Sequence, residues 1–344
     1  MNIAVLGYGG VSKAFIELIS SKEDYLKREK ISIQINYILN SKGGVYDPKG
    51  IDYNNLLNFT SNKGNLIDYP HGGSSNLTFN EILNDKNIDI LIELTPTNKD
   101  TGEPAFTHMK SALENKIHVI TGNKGPILLN YNELNNIAIK NNVQLAIGCT
   151  TGGALPSING GLFDMAGADI TSIEGVLNGT TNFILKEMED TSCTYDEALK
   201  TAQRLGIAEA NPSLDVDGWD TATKLLILTN VLMKENKTLN DTKVHGISHI
   251  TPNHILEAQK ENKKYKLIGR TTKENNVVST SVGLKLLEST HPLYNVDGKN
   301  KGLRYTSSTL GDLTLIGGAS GVTPAAASIF RDLININNGY KFSK

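Results

Sequence analysis

The first twenty residues constrain the fold more than any other part of the chain. Asn2 to Leu6 form a short apolar run that ends in Gly7-Tyr8-Gly9-Gly10, and Val11, Phe15, Leu18 and Ile19 then recur at helical spacing. This is strand, tight turn, helix. Ile31, Ile33, Ile35, Tyr37 and Leu39 alternate through a second strand, and residues 89 to 94 (DILIEL) form the continuous apolar run of a buried parallel strand. A helix over 103–116, a strand over 118–121, a helix over 131–141 and a strand over 143–147 continue the alternation. The pattern predicts an α/β Rossmann-type domain built on a doubly wound parallel sheet. Residues 43–75, rich in Asn, Gly, Ser and Lys, read as loop with one helix near 53–59.

Beyond the glycine-rich stretch 148–153 the grammar changes. A strand over 172–177, a helix from Thr181, and a helix opened by the capping box Thr194-x-x-Glu197 are expected, with Gly206 ending the last. Asp217 is placed to cap a long apolar helix over 218–233, and Thr251-Pro252 opens another. Strand-like runs recur at 265–268, 277–284 and 313–316 before a final helix over 324–336. Strict alternation has gone, so the second domain is expected to be α+β. Residues 1–148 with 305–344 are read as the dinucleotide-binding domain, and 149–304 as the substrate and dimerisation domain.

Length and composition agree with two soluble domains. The chain has 344 residues and a formal net charge of -2, without the basic excess of a nucleic-acid binder. Its two cysteines, Cys149 and Cys193, exclude a disulfide framework and fit a reducing, cytoplasmic setting. No apolar run has the length of a membrane span.

Several motifs carry chemistry. The turn Gly7, Gly9, Gly10, Val11, opening a helix directly after a strand, has the context of a dinucleotide fingerprint, in which free amides at a helix N-terminus face a pyrophosphate. Ser12 replaces the third glycine, and Leu39-Asn40-Ser41-Lys42 lack the acid that would bind the ribose diol of NAD, so NAD and NADP both stay open. Thr95-Pro96-Thr97-Asn98 and the loop around Lys124 (TGNKGP, 121–126) follow the carboxyl ends of predicted parallel strands, the ligand-binding edge of such sheets. Asp220 and Lys224, four apart at the start of an apolar helix, share one face, with Glu209, Asp215 and Asp217 close in sequence. Carboxylates of this density can hold a substrate ammonium while orienting a lysine beside a reacting oxygen. His245 and His249 read as solvated, and Cys193 as a loop residue.

Together these segments resemble homoserine dehydrogenase. The likeness runs through GYGGV, ELTPTN (93–98), TGNKGP, TTGGALP (150–156), VLNGTTNFIL (176–185), LGIAEANPSLDVDGWDTATKL (205–225), HPL (291–293) and GGASGVTPAAA. It implies reversible NAD(P)-dependent oxidation of L-homoserine to L-aspartate 4-semialdehyde by a homodimer, in threonine and methionine biosynthesis. It assigns proton transfer to Lys224, a second active-site lysine to Lys124, homoserine binding to Glu209, Asp215 and Asp220, and substrate lining to Gly179 and Thr180. Thr95, Gly206 and Gly321 fall at positions near the cofactor. The family pattern also includes a monovalent cation on the backbone carbonyls of Thr151, Gly153 and Leu155, completed by a glutamate. Gly148 stands at that glutamate position, which removes a ligand, and Asn211 replaces a usual Asp. The chain ends soon after the last helix, so no C-terminal regulatory domain is expected. Two other readings compete: a phosphorylating semialdehyde dehydrogenase using Cys149 as nucleophile, and a non-catalytic NAD(P)-binding sensor.

Overall fold

Strand β1 (Asn2–Leu6) lies at the centre of a seven-stranded sheet, with Ile3, Ala4 and Val5 fully buried. In the computed structural model, which describes residues 1–298 and 300–343, the chain separates into two units, Met1–Thr150 with Gly321–Lys344, and Thr151–Ser320.

The first sheet runs β4-β3-β2-β1-β5-β6-β7, with β2 (Gln34–Asn40), β3 (Gly43–Tyr46), β4 (Gly73–Ser74), β5 (Ile90–Glu93), β6 (His118–Thr121) and β7 (Leu145–Ala146). Strands β2, β1, β5, β6 and β7 are parallel, and β3 and β4 extend the sheet antiparallel at one edge. Strand order reverses at β1, the point at which open α/β sheets bind their ligands. The helices Gly10–Ser21, Ala105–Glu114 and Lys124–Asn141 follow β1, β5 and β6 as expected, the last starting earlier than read and kinking at Asn130. Residues 43–75 carry more structure than the sequence shows: β3, β4, the helix Tyr53–Ser61 and a short 3-10 turn. The C-terminal helix Val322–Asn337 packs on Gly10–Ser21, returning the end of the chain to the first unit.

The second sheet runs β13-β12-β8-β10-β11-β9, with β8 (Ile170–Val176), β9 (Thr242–Val244), β10 (Lys263–Glu274), β11 (Val277–Glu288), β12 (Lys301–Ser307) and β13 (Gly311–Gly317). All its pairings are antiparallel except β9 with β11. The helices Gly179–Thr191, Trp219–Met233 and Pro252–Lys260 pack on it. Because β12 pairs with β8, residues 305–317 lie in the second sheet, and the return to the first unit starts at Gly321. The expected Asp217 cap is not formed. Gly218 is the N-cap residue, with φ +91, a conformation that an L side chain rarely adopts, and Asp217 ends the short helix Ser213–Val216. Among the described residues no helix is long and apolar enough to cross a membrane.

Candidate active site

In the first unit the glycine turn follows β1 and passes the end of β5. Gly7 has φ +91, and a Cβ there would lie 2.4 Å from the Leu94 carbonyl oxygen, so only glycine lets the turn pass the end of β5. The Gly10–Ser21 helix starts without a side-chain cap. Its first amides therefore remain available to an anion. Val322, next to Gly321, approaches Gly10, so Gly7, Gly9, Gly10, Val11 and Gly321 gather in one place. Tyr8 hydrogen-bonds Thr60 at 3.0 Å, and burial pushes its hydroxyl pKa up, so no phenolate charge opposes an anion beside the turn. Ser12 fits inside, 1% exposed, at the third glycine position.

The Thr95 and Lys124 loops are joined by one polar web. Thr121 Oγ1 donates to the Glu93 carbonyl (3.0 Å), Asn123 Nδ2 to the Thr95 carbonyl (3.0 Å), and Gly125 N to Asn123 Oδ1 (3.2 Å). Asn123 thus caps the helix on which Lys124 is the first residue. Glu93, fully buried, accepts from the Thr95 amide at 3.2 Å and from the Thr95 hydroxyl, with His108 Nδ1 3.7 Å away. The motif ELTPTN contained this residue, but nothing in the sequence showed that a carboxylate would turn inward there. Asn40 Oδ1 accepts from Lys42 N (2.8 Å) at the end of β2, where an acid is absent.

In the second unit Lys224, Asp220 and Asp215 meet around a residue that sequence reasoning did not single out. Lys224 Nζ lies 2.6 Å from Asp220 Oδ2 and donates to the Leu177 carbonyl at 2.9 Å, both side chains being only 13% and 14% exposed. Asn178 Nδ2 donates to Asp215 Oδ1 (2.6 Å) and Asp220 Oδ2 (2.9 Å), while its Oδ1 caps the Gly179–Thr191 helix through Thr181 N (2.9 Å). One amide therefore keeps two carboxylates at a single point. The signal was an Asn between a strand and Gly-Thr-Thr, the ordinary N-cap position. Thr180 Oγ1 donates to the Ile207 carbonyl (3.1 Å), tying Gly179 and Thr180 to the turn that contains Gly206. Glu209 is exposed just beyond this turn. Asn211 Oδ1 is engaged by Ser213. The half-buried network brings two carboxylates, Asp215 and Asp220, to one amide, a setting that suits an incoming cation.

The expected monovalent cation does not fit these residues. A Cβ at Gly148 would meet the buried Asp332 carboxylate at 2.6 Å, and Gly148 N donates to that carboxylate, so no glutamate could stand there. In the second unit the Leu155 carbonyl accepts from Ser157 N (2.7 Å), and the buried Lys301 ammonium donates to the Gly152 carbonyl (3.0 Å) within the Thr151, Gly153, Leu155 loop. A second positive charge beside it would be repelled. Cys149 Sγ donates toward the Ala325 carbonyl at 3.6 Å. His245 and His249 are exposed, and Cys193 lies between two helices.

The homoserine dehydrogenase family model matches residues 156–334. Homoserine dehydrogenase from Methanocaldococcus jannaschii is 36% identical over 341 residues, covering 99% of this chain and 100% of that protein. The NAD(+)-dependent homoserine dehydrogenase of Pseudomonas canavaninivorans is also 36% identical, over 97% of this chain and 96% of its own. Among solved structures, a putative homoserine dehydrogenase from Archaeoglobus fulgidus aligns with TM-score 0.85 at 29% identity, covering 98% of this chain and 99% of that one. A hyperthermophilic archaeal homoserine dehydrogenase in complex with NADPH aligns with TM-score 0.83 at 26% identity, covering 100% and 99%.

Proposed function

The chain belongs to the homoserine dehydrogenase family of NAD(P)-dependent oxidoreductases, and on that premise we propose how its residues divide the reversible oxidation of L-homoserine to L-aspartate 4-semialdehyde. The observation that carries the reading is the Lys224–Asp220–Asn178–Asp215 network. The amides after Gly7, Gly9, Gly10 and Val11 would hold the pyrophosphate, with Thr95, Lys124 and Gly321 of the same unit as further contacts, and the resemblance assigns Gly206 to the cofactor as well. Bound there, the dinucleotide supplies the hydride acceptor. The resemblance assigns Lys124 as a second lysine for the reaction.

Homoserine brings an ammonium and a hydroxyl. The Asp215 and Asp220 carboxylates suit the ammonium, the resemblance assigns Glu209 to it as well, and Gly179 and Thr180 line the remainder. Lys224 has three protons, of which one faces Asp220 and one the Leu177 carbonyl, leaving one for the substrate oxygen. In semialdehyde reduction the ammonium gives this proton to the developing alkoxide, and in homoserine oxidation the neutral amine takes it from the hydroxyl. Asp220 and the Leu177 carbonyl keep Nζ from rotating away as the proton moves. Oxidation releases one proton to solvent overall, so its equilibrium favours alkaline conditions.

Purified protein given L-homoserine with NAD+ or NADP+ is expected to form reduced nicotinamide. Lys224→Ala is expected to lower kcat by about 10³-fold while dinucleotide affinity stays within a few-fold. Wild-type turnover in Lys224→Ala would remove the lysine from the mechanism. Absence of turnover by the wild type with every amino-acid alcohol would remove the substrate assignment.

A further inference from the structure

Lys301 is a lysine in a place where the strand pattern calls for an apolar side chain. It begins β12, whose Leu303 and Tyr305 point into the core, and it is itself only 6% exposed. The proposed chemistry has no use for it. Its ammonium donates to the Gly152 carbonyl at 3.0 Å and lies 3.5 Å from where a Cβ on Gly153 would stand. The surrounding backbone is tightly built. A Cβ at Gly318 would lie 2.4 Å from Leu155 N, Tyr305 donates its hydroxyl to the Ser157 carbonyl, and Thr151 Oγ1 hydrogen-bonds Ser157 Oγ at 2.7 Å. The result is a buried turn whose carbonyl dipole is met by a positive charge that the chain itself supplies.

We propose that the Lys301 ammonium serves as a built-in monovalent cation for the Thr151–Leu155 turn, so that this protein folds and works without an alkali metal ion there. An ammonium and a monovalent metal ion carry the same charge and both bind carbonyl oxygens. The ammonium is tethered, so it cannot be lost by dilution. Its attachment to the first residue of β12, which pairs with Gly317 on β13, holds it in register with the turn. The resemblance implies a metal ion on this same turn, where these residues put an ammonium instead.

The test reads stability, so it does not depend on the dehydrogenase assignment. The melting temperature and urea midpoint of the full-length protein are measured in tetramethylammonium, sodium and potassium chloride at equal ionic strength. Tetramethylammonium is too large for a carbonyl turn. The wild type is expected to give the same values in all three salts, within about 1 °C for melting. Lys301→Ala, which opens room for an ion, is expected to melt several degrees lower in tetramethylammonium and to regain stability saturably with sodium or potassium. Lys301→Met, which fills the room without charge, is expected to show no such rescue. A saturable sodium or potassium effect on the wild type would overturn the proposal, whether or not the variants fold. So would a folded Lys301→Ala protein that ignores alkali ions.

Discussion

At the residue scale, Asn178 is the hinge between local structure and chemistry. Its Oδ1 caps a helix and its Nδ2 bridges Asp215 and Asp220, so substitutions can separate the two roles. Asn178→Ser keeps a good N-cap but cannot span both carboxylates. Its stability is expected to stay within about 0.5 kcal/mol of wild type, while kcat/KM for homoserine falls at least tenfold. Equal losses of stability and activity in thermal melts and steady-state kinetics would reduce Asn178 to a cap. Asn40 tests the cofactor end in the same way. Asn40→Asp places a negative charge where a 2′-phosphate would lie, and kcat/KM with NADP+ is expected to fall by about 10- to 100-fold, with NAD+ little affected. Unchanged NADP+ kinetics would place the ribose elsewhere.

At the element scale, legibility followed the strength of local signals. β1, the glycine turn and its helix were readable because apolar period, turn residues and helix start all agree. The Thr194–Glu197 and Thr251–Pro252 starts were readable for the same reason. β3 and β4 were not, because glycines and polar residues at a sheet edge carry no alternation, and β12 was hidden by the core-facing Lys301. The Gly160–Asp164 π-helix has no sequence signature at all. In the site, Lys224 and Asp220 were visible through helical spacing, whereas the inward turn of Asn178 depends on Asp215 and Asp220, distant in sequence, and that of Glu93 on the burial of β5 against its neighbours.

A second buried lysine makes an element-scale prediction. Lys266 on β10, 2% exposed, holds Asn182 Oδ1 (3.1 Å), the Val296 carbonyl (2.7 Å) and Asp297 Oδ1 (2.6 Å), pinning the segment before β12. Burial alone would raise the Asp297 carboxyl pKa, but hydrogen bonds from Lys266 and Lys264 outweigh it and hold it below its usual value. Burial pulls the Lys266 ammonium the other way from a surface ion pair, below its ordinary value. A carboxyl depressed on folding gives stability that is present above its unfolded value of about 3.9 and lost as pH falls through the folded value. The second unit should therefore weaken as pH drops below about 4. Asp297→Asn should flatten that acid limb and cost about 2 kcal/mol at neutral pH, less than a fully buried pair because Asp297 is 27% exposed. Lys266→Met should cost less, since the Asp297 carboxylate it leaves is partly exposed and keeps Lys264 at 3.0 Å, whereas Asp297→Asn leaves a buried ammonium without its carboxylate. Urea titrations across pH decide this, and an acid limb unchanged in Asp297→Asn would refute it.

At the scale of the whole molecule, the chain leaves the first unit at Thr150 and returns to it at Gly321. The return supplies core, not decoration. Ile329 and Leu333 are fully buried and Phe342 is 2% exposed, while Tyr25 meets Phe330 edge-on at 6.4 Å. At the far edge of the sheet, Gln144 Oε1 accepts from the amides of Phe342 (2.8 Å) and Ser343 (3.2 Å), and Leu145 N donates to Ser343 Oγ, which blunts the exposed edge at β7. Burying three such side chains contributes about 5–9 kcal/mol, which is comparable with the entire net stability of an ordinary domain, about 5–15 kcal/mol. A chain ended after Ser320 should therefore lose the first unit while keeping the second sheet, every strand of which lies within 151–320. Hydrogen exchange should show β1, β2, β5 and β6 unprotected and β8 and β10 still protected, with dinucleotide binding abolished. Native protection of β1 in the shortened chain would mean that the first unit folds without its C-terminal helix, and that the helix serves the glycine turn through Val322 and Gly321 instead of the core.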